Sequence, residues 1–142
     1  MGRDPRLRTG GVLILDSSAI VAVLRREEGY RKCAVALDGA TELAIGAPTL
    51  FETGMVAIGR FGLGGRARVA QFIERYGVVV ISFDERHWRA AADAFIRYGK
   101  GRHPAALNYG DCMTYATAHL SDHPLLFTGE DFAKTDLRSA LA

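Results

Sequence analysis

The sequence predicts an α/β domain with a central parallel sheet of four to five strands and helices on both faces. Short apolar-rich runs at 12–15, 42–45, 78–81 and 125–127 alternate with longer amphipathic segments. A short continuous apolar run is typical of a strand buried on both faces, as in parallel sheets. Strands that alternate with helices favour this architecture. At 142 residues, with 49% hydrophobic and 24% charged residues, the chain has the length and composition of one globular domain.

Helices are predicted between these strands, over residues 17–26, 30–37, 50–61, 66–76 and 85–98 and from 108 onward. Thr49-x-x-Glu52 has the spacing of a capping box, so we expect Thr49 to cap the third helix. Asp84 is interpreted as a plain helix cap. From Lys134 the chain has few apolar residues, which predicts a short turn followed by loose chain.

The charge of the chain is nearly balanced, with 18 Lys and Arg against 16 Asp and Glu and a net charge of +2. Net charge alone therefore does not indicate nucleic-acid binding. Basic residues are clustered, however, and Lys100 and Arg102 share a loop that contains Gly and Pro. Basic clusters near an acidic site suit a phosphodiester substrate, and ordinary solvated surface is the other interpretation.

Two cysteines, Cys33 and Cys112, lie far apart and outside any CxxC pair, so neither a zinc site nor a disulfide framework is predicted. A reducing cytoplasm is therefore the expected location. No apolar run approaches the roughly 20 residues of a membrane span. Residues 1–11 are interpreted as a basic, disordered extension, and residues 12–142 as the single domain.

Acidic residues follow a strand or open a helix at four places, namely Asp16, Glu52, Asp111 and the pair Glu130 and Asp131. Each alone is explained as a helix cap. Together they are expected at the same edge of the sheet, where the carboxyl ends of parallel strands meet. Clustered carboxylates repel one another unless cations compensate them. Oxygen ligands suit Mg²⁺ or Mn²⁺, and such ions assist phosphodiester hydrolysis.

Four segments carrying these acids resemble, in order and spacing, the PIN-domain family and within it the VapC toxins of bacterial toxin–antitoxin pairs. They are Leu15-Asp16-Ser17-Ser18-Ala19-Ile20, Pro48-Thr49-Leu50-Phe51-Glu52-Thr53, Leu107-Asn108-Tyr109-Gly110-Asp111-Cys112 and Leu125-Leu126-Phe127-Thr128-Gly129-Glu130-Asp131-Phe132. Any one motif is weak, whereas the four in order are specific. The resemblance covers essentially the whole chain from Val12 and implies a single PIN-like domain.

The resemblance implies a Mg²⁺- or Mn²⁺-dependent endoribonuclease that acts as the toxin of a type II toxin–antitoxin pair. Asp16, Glu52 and Asp111 correspond to the family's core acidic triad. Asp131 corresponds to its more variable fourth acid, with Glu130 as the alternative. The resemblance also implies a homodimer, inhibition by a cognate antitoxin of the VapB type, and RNA as substrate.

Hydroxyl side chains near the acids are assigned supporting roles. Ser17 and Thr128 suit the orientation of a carboxylate or of a metal-bound water. Ser17 and Ser18 are expected to cap the first helix, which would leave the carboxylate of Asp16 free for metal. Lys100 and Arg102 are expected to touch substrate phosphates.

Two other function classes stay open from the residues alone. The first is a non-catalytic PIN-like module that binds RNA or protein and whose acids only cap helices. The second is a phosphatase or DNA nuclease with the same acids, since metal sites of this kind serve many phosphoryl transfers. No residue is recognisable from the sequence as one that contacts the 2′-hydroxyl, the group that distinguishes RNA from DNA.

Overall fold

In the part of the chain that the structure describes, the sheet has four parallel strands in the order β3-β2-β1-β4. The structure, a computed structural model, describes residues 11–141, so the predicted extension at 1–11 lies outside it except for Gly11. The strands are β1 (Val12–Leu15), β2 (Glu42–Gly46), β3 (Val79–Ile81) and β4 (Leu125–Leu126). The predicted α/β class and parallel sheet are confirmed.

Among residues 11–141, six α-helices and one short 3₁₀ turn connect and follow the strands. The helices are α1 (Ser17–Arg25), α2 (Tyr30–Gly39), α3 (Ala47–Phe61), α4 (Gly64–Tyr76), α5 (Glu85–Tyr98) and α6 (Tyr109–Ser121), and the 3₁₀ turn covers Phe132–Lys134. Asp84 caps α5 as predicted, because its carboxylate accepts a hydrogen bond from the backbone N–H of Arg86 at 2.9 Å.

The central strand β1 divides the core into two layers. Successive side chains of a strand point to opposite faces of a sheet. Leu13 and Leu15 accordingly join the core layer beneath α1, α2 and α4, which includes Phe72. Ile14 joins the other layer, beneath α5 and α6, which includes Tyr98. A strand buried on both faces is what the uninterrupted apolar run predicted, and helices do cover both faces.

The predicted capping box at Thr49 is wrong. Helix α3 begins three residues earlier than predicted, at Ala47, with Pro48 in its first turn and Gly46 as a cap that makes no side-chain hydrogen bond. Proline is favoured at this position because the first N–H groups of a helix have no intrahelical partner. Thr49 is therefore inside the helix and only 2% exposed. Its hydroxyl faces α6 instead of the backbone of its own first turn.

The tail after the 3₁₀ turn is ordered against the sheet, which corrects the prediction of loose chain. The backbone N–H of Leu125 donates to the carbonyl of Arg138, and the N–H of Ala140 donates to the carbonyl of Leu125, both at 2.9 Å. These bonds form a single parallel bridge between Leu125 and Ser139. The fifth strand that the sequence left open is thus reduced to one bridge beside β4.

Both cysteines, Cys33 and Cys112, are buried and free. They belong to different core layers, so the structure agrees with the prediction of no disulfide between them. Within residues 11–141, no helix combines the length and apolar character needed to cross a membrane.

Candidate active site

The acids lie at the carboxyl edge of the sheet because of how β1 and β4 pair. These strands are parallel neighbours, with Leu15 opposite Leu126, so their carboxyl ends are adjacent. Asp16 directly follows β1. Asp131 lies in the loop after β4, at the start of the 3₁₀ turn. Glu52 comes from the second turn of α3 and Asp111 from the first turn of α6, and both helices begin at the same edge.

Asp16 caps α1 with its own carboxylate, which corrects the expectation that Ser17 and Ser18 take over the cap. Its Oδ2 accepts hydrogen bonds from the backbone N–H of Ser18 at 3.1 Å and from the Ser18 hydroxyl at 2.6 Å. Its Oδ1 accepts a third, from the Thr114 hydroxyl at 2.9 Å. The side chain is buried, and one carboxylate serves both the cap and the site.

The predicted supporting hydroxyls are placed differently from one another. Ser17 donates to Glu52 Oε1 at 3.2 Å, which is the orienting contact expected of it. Thr128 takes part through its backbone N–H, which donates to the Ser18 hydroxyl at 3.0 Å. The serine hydroxyl that contacts Asp16 is therefore that of Ser18.

Glu52 lies half-buried between α1 and α6. Its carboxylate packs against Gly110, at the point where a Cβ on that glycine would lie. Burial raises the pKa of Glu52, the nearby charge of Asp16 raises it further, and the hydrogen bond from Ser17 lowers it. Glu52 and Asp16 are therefore within electrostatic reach of each other.

Asp111 is part of the capping box that opens α6. Its Oδ2 accepts from the backbone N–H of Asn108 at 3.0 Å, and its own N–H donates to Asn108 Oδ1 at 2.9 Å. Burial raises the pKa of Asp111 to about 6, against the lowering effect of the Asn108 hydrogen bond. The charges of Asp16, Asp131 and Glu52 contribute to the same rise.

Asp131 and Glu130, the two candidates for the fourth acid, differ in their electrostatic effect on Asp111. Asp131 is among the groups whose charge raises the pKa of Asp111, and Glu130 is not. Both side chains are exposed. Asp131 is therefore within electrostatic reach of Asp111, and its assignment as the fourth acid stays a prediction.

No cation within residues 11–141 forms an ion pair with Asp16, Glu52, Asp111 or Asp131. In the same part of the chain, no group of three or more His, Cys, Asp or Glu side chains is already arranged to hold a metal ion. The acids thus approach one another without converging on one point. This donor set fits Mg²⁺, which keeps several waters and takes one or two carboxylates.

Lys100 and Arg102 lie in the loop between α5 and α6, with both side chains exposed. The loop is anchored because the N–H of Lys100 donates to the carbonyl of Leu107 at 3.0 Å. The Arg102 guanidinium lies 5.6 Å from the centre of the Phe95 ring. The loop leads directly into Asn108 and Asp111, so both basic residues are close to the site in the chain.

Two buried threonines lie beside the site: Thr114, which was not identified from the sequence, and Thr49, which was interpreted only as a helix cap. Thr114 donates to Asp16, and its oxygen lies 2.9 Å from the Thr49 hydroxyl. Thr114 follows Asp111 by three residues, so the two lie on neighbouring positions of one helix face. A polar residue among apolar neighbours one helical turn after a candidate acid is the signal that could have identified it.

Fold and site together define an α/β domain with a coupled cluster of acids, and no paired cation in the described residues, at the carboxyl edge of its sheet. The family model described as PIN domain matches residues 13–137 of this chain. Ribonuclease VapC36 of Mycobacterium tuberculosis is 46% identical over 126 residues, which cover 88% of this chain and 91% of that protein. The chain therefore belongs to the PIN domain family, among its VapC members.

Solved structures show the same fold. The VapC20 toxin of Mycobacterium tuberculosis, described as cleaving the sarcin-ricin loop, superposes with a TM-score of 0.73 at 14% identity over 88% of this chain and 95% of that one. A chain of a toxin–antitoxin complex from Klebsiella pneumoniae superposes with a TM-score of 0.67 at 18% identity, over 87% and 92% of the two chains.

Proposed function

We propose that this protein is a metal-dependent endoribonuclease, the toxin of a type II toxin–antitoxin pair, that hydrolyses phosphodiester bonds in RNA. The observation that carries the proposal is the coupling of Asp111 to Asp16, Glu52 and Asp131, with no cation from residues 11–141 paired to them. Negative charges so close together are costly until a cation compensates them. The names of the VapC relatives support ribonuclease activity.

Mg²⁺ or Mn²⁺ is the proposed cofactor, and Asp16 and Asp111 are the residues proposed to hold it. When bound, such an ion neutralises charge on the phosphodiester and activates a water. Glu52 and Asp131 add negative charge near Asp111. Ser17 orients Glu52 Oε1 by donating a hydrogen bond to it, and the backbone N–H of Asn108 orients the Asp111 carboxylate in the same way.

An antitoxin is proposed to occupy the groove between α3 and α4, next to Glu52. This groove encloses about 710 Å³, and its lining includes Phe51 and Met55, which are 70% and 55% exposed. Exposed apolar patches of this kind mark protein–protein contacts. The related Klebsiella pneumoniae structure is a toxin–antitoxin complex, which supports a partner of this type.

A second copy of the chain is the proposed partner of a different surface, on α5 and the start of α6. Trp88, Ile96 and Tyr109 are 63%, 63% and 82% exposed there. Sedimentation of the purified protein is expected to show a dimer, and substitution of Trp88 by Glu is expected to give a monomer. A monomeric wild-type protein would contradict the proposal.

The alternative, a non-catalytic binding module, is favoured by one specific observation. Asp16 and Asp111 do cap their helices, which is all that this alternative asks of them. In the proposed enzyme, Asp16 and Asp111 also act on metal and RNA, whereas in the binding module they only cap helices. A measurement of RNA cleavage therefore decides between the two functions.

The test is RNA cleavage by wild type, Asp16→Asn, Asp111→Asn and the control Asp84→Asn, with Mg²⁺, with Mn²⁺ and with EDTA. Asn keeps a hydrogen-bond acceptor at each cap. We expect both site variants to lose cleavage about 100-fold or more, as when an electrostatic stabiliser is removed from an active site. Asp84→Asn is expected to cleave normally. Cleavage that survives EDTA or both site substitutions would disprove the proposal, and a matched DNA oligonucleotide tests the DNA nuclease alternative.

A further inference from the structure

Asp16 is the most deeply buried of the four acids and is held from two directions. Thr114 of α6 donates to Oδ1, and Ser18 at the start of α1 donates twice to Oδ2. Behind Thr114 lies Thr49 of α3, whose hydroxyl oxygen is 2.9 Å from that of Thr114. Asp16, Thr49 and Thr114 are 5%, 2% and 1% exposed, so solvent does not compete for these bonds.

The direction of the hydroxyl chain follows from counting protons. An ionised carboxylate only accepts hydrogen bonds, and a threonine hydroxyl has one proton to give. Thr114 gives its proton to Asp16, so it has none for Thr49. Thr49 must therefore donate to Thr114, and the order of donation is Thr49 to Thr114 to Asp16.

The same counting applies to the lone pairs of Asp16. Each carboxylate oxygen has about two acceptor positions. Oδ2 receives two donors from Ser18, so both of its positions are filled. Oδ1 receives one donor, from Thr114, and keeps one position open. Among the described residues there is no further donor to that oxygen.

We propose that the Thr49–Thr114 relay positions Asp16 so that the open position on Oδ1 binds the divalent cation. This inference rests on the proposed function, in which Asp16 is a metal ligand. It makes Thr114 a positioning residue that acts through Asp16, and Thr49 a residue that fixes the orientation of the Thr114 hydroxyl. Residues that orient a ligand in this way are generally important for metal affinity.

The test is a calorimetric titration with Mn²⁺ alone, which measures the affinity of the metal-free full-length protein for the ion. The proteins compared are wild type, Thr114→Val, Thr114→Ser and Thr117→Val. Valine keeps the shape of threonine and removes the hydroxyl. We expect Thr114→Val to weaken Mn²⁺ binding about 10- to 100-fold and Thr114→Ser to restore most of it. Thr117→Val is the matched control, because Thr117 is buried one turn further along α6 and donates only to a backbone carbonyl. It is expected to bind Mn²⁺ like wild type.

Asp16→Asn separates failure of this inference from failure of the proposed function. Loss of Mn²⁺ binding in Asp16→Asn together with wild-type affinity in Thr114→Val would overturn the relay alone. Wild-type affinity in Asp16→Asn, or no Mn²⁺ binding by wild type, would overturn both. If Thr114→Val does not fold, Thr49→Val decides, because it keeps the Thr114–Asp16 bond and removes only the donor behind it. We expect weaker Mn²⁺ binding there too, and wild-type affinity would contradict the relay.

Discussion

At the residue scale, Gly110 is the position where a single methyl group would act on the site. A Cβ added there would collide with Glu52 Oε2, which lies at the free end of a flexible side chain. Gly110→Ala is therefore expected to displace Glu52, while the helix itself gains up to about 1 kcal/mol from the better helix former. We predict RNA cleavage at least about 10-fold slower, with a melting temperature equal to or above that of wild type.

Gly59→Ala is the control for this substitution. Gly59 is also inside a helix, and a Cβ there would meet nothing within 4 Å. It is expected to give the same small gain in melting temperature and unchanged cleavage. Equal cleavage by the two alanine variants would show that the position of Glu52 is unimportant.

Asp111 predicts how stability depends on pH in the absence of metal. Its pKa rises from 3.8 to about 6 on folding, so between these values the folded state holds more protons than the unfolded state. Stability due to this group therefore falls as pH rises through that window. Above it, ionised Asp111 costs about 1–2 kcal/mol, allowing for the solvent screening of a half-buried group.

Asp111→Asn removes this cost and keeps the acceptor of the capping box. In EDTA, the variant is predicted to be more stable than wild type at pH 8 and equally stable below pH 4. Urea unfolding across this pH range measures the difference. A variant that is less stable than wild type at pH 8 would contradict the raised pKa.

The sequence predicted which acids form the site but not the contacts that hold them. Asp16 was recognisable because it ends an apolar strand, yet its contact with Thr114 joins residues 98 positions apart. No local pattern reports such a contact. The same reason explains why Thr49 was taken for a cap: its spacing to Glu52 is that of a capping box, and only the packing of α3 against α6 shows what its hydroxyl faces.

At the element scale, α5 and α6 both begin with a capping box, but only the capping box of α6 contains a site acid. Asn108 opens α6 in a capping box with the site acid Asp111, and Asp84 opens α5 in a capping box with His87. Asn108→Ala and Asp84→Ala are each predicted to lower stability by about 1 kcal/mol. Cleavage is predicted to fall only in Asn108→Ala, because only that cap anchors a site acid.

Denaturant unfolding and RNA cleavage of the two alanine variants check this prediction together. The stability losses act as each other's control. If Asp84→Ala lost cleavage to the same extent, general loosening of the fold, rather than the position of Asp111, would explain the effect.

Helix and strand positions were largely predictable because the spacing of apolar residues agrees with the turn and capping residues at the ends of each segment. Glycine or a capping residue follows most apolar segments, and β1 reads as buried on both faces. The tail was not predictable, since its order depends on two backbone bonds to Leu125 that carry no side-chain signal. Helix α3 begins earlier than predicted because Pro48 is compatible with a first helical turn. The helix can therefore start before Thr49 and does not use it as a cap.

At the scale of the whole molecule, the topology accounts for the site better than any single motif. Parallel β1 and β4 bring Asp16 and Asp131 to one edge from opposite ends of the chain. Helices α3 and α6 begin at that edge and contribute Glu52 and Asp111. Each motif therefore contributes one acid to the same edge, which is why four individually weak motifs are specific together.

The charge of the whole molecule leads to a prediction about which residues bind RNA. The net charge of +2 is too small to attract RNA strongly, so binding should depend on where the positive charges lie. Lys100 and Arg102 precede the Asp111 helix, whereas Arg31 and Lys32 are exposed on α2. Reversing either pair to Glu changes the net charge by the same amount. In an Asp16→Asn background, Lys100→Glu with Arg102→Glu is predicted to weaken binding of a labelled single-stranded RNA.

The salt dependence of that binding separates local contact from overall charge. Each lost phosphate contact lowers the slope of log affinity against log salt by about 0.7 for single strands, so loss of both contacts lowers it by about 1.4. Arg31→Glu with Lys32→Glu is predicted to leave the slope unchanged. Fluorescence anisotropy over a salt series measures both slopes. Identical slopes for the two double variants would mean that Lys100 and Arg102 contribute only to the general field of the molecule and do not contact the RNA backbone.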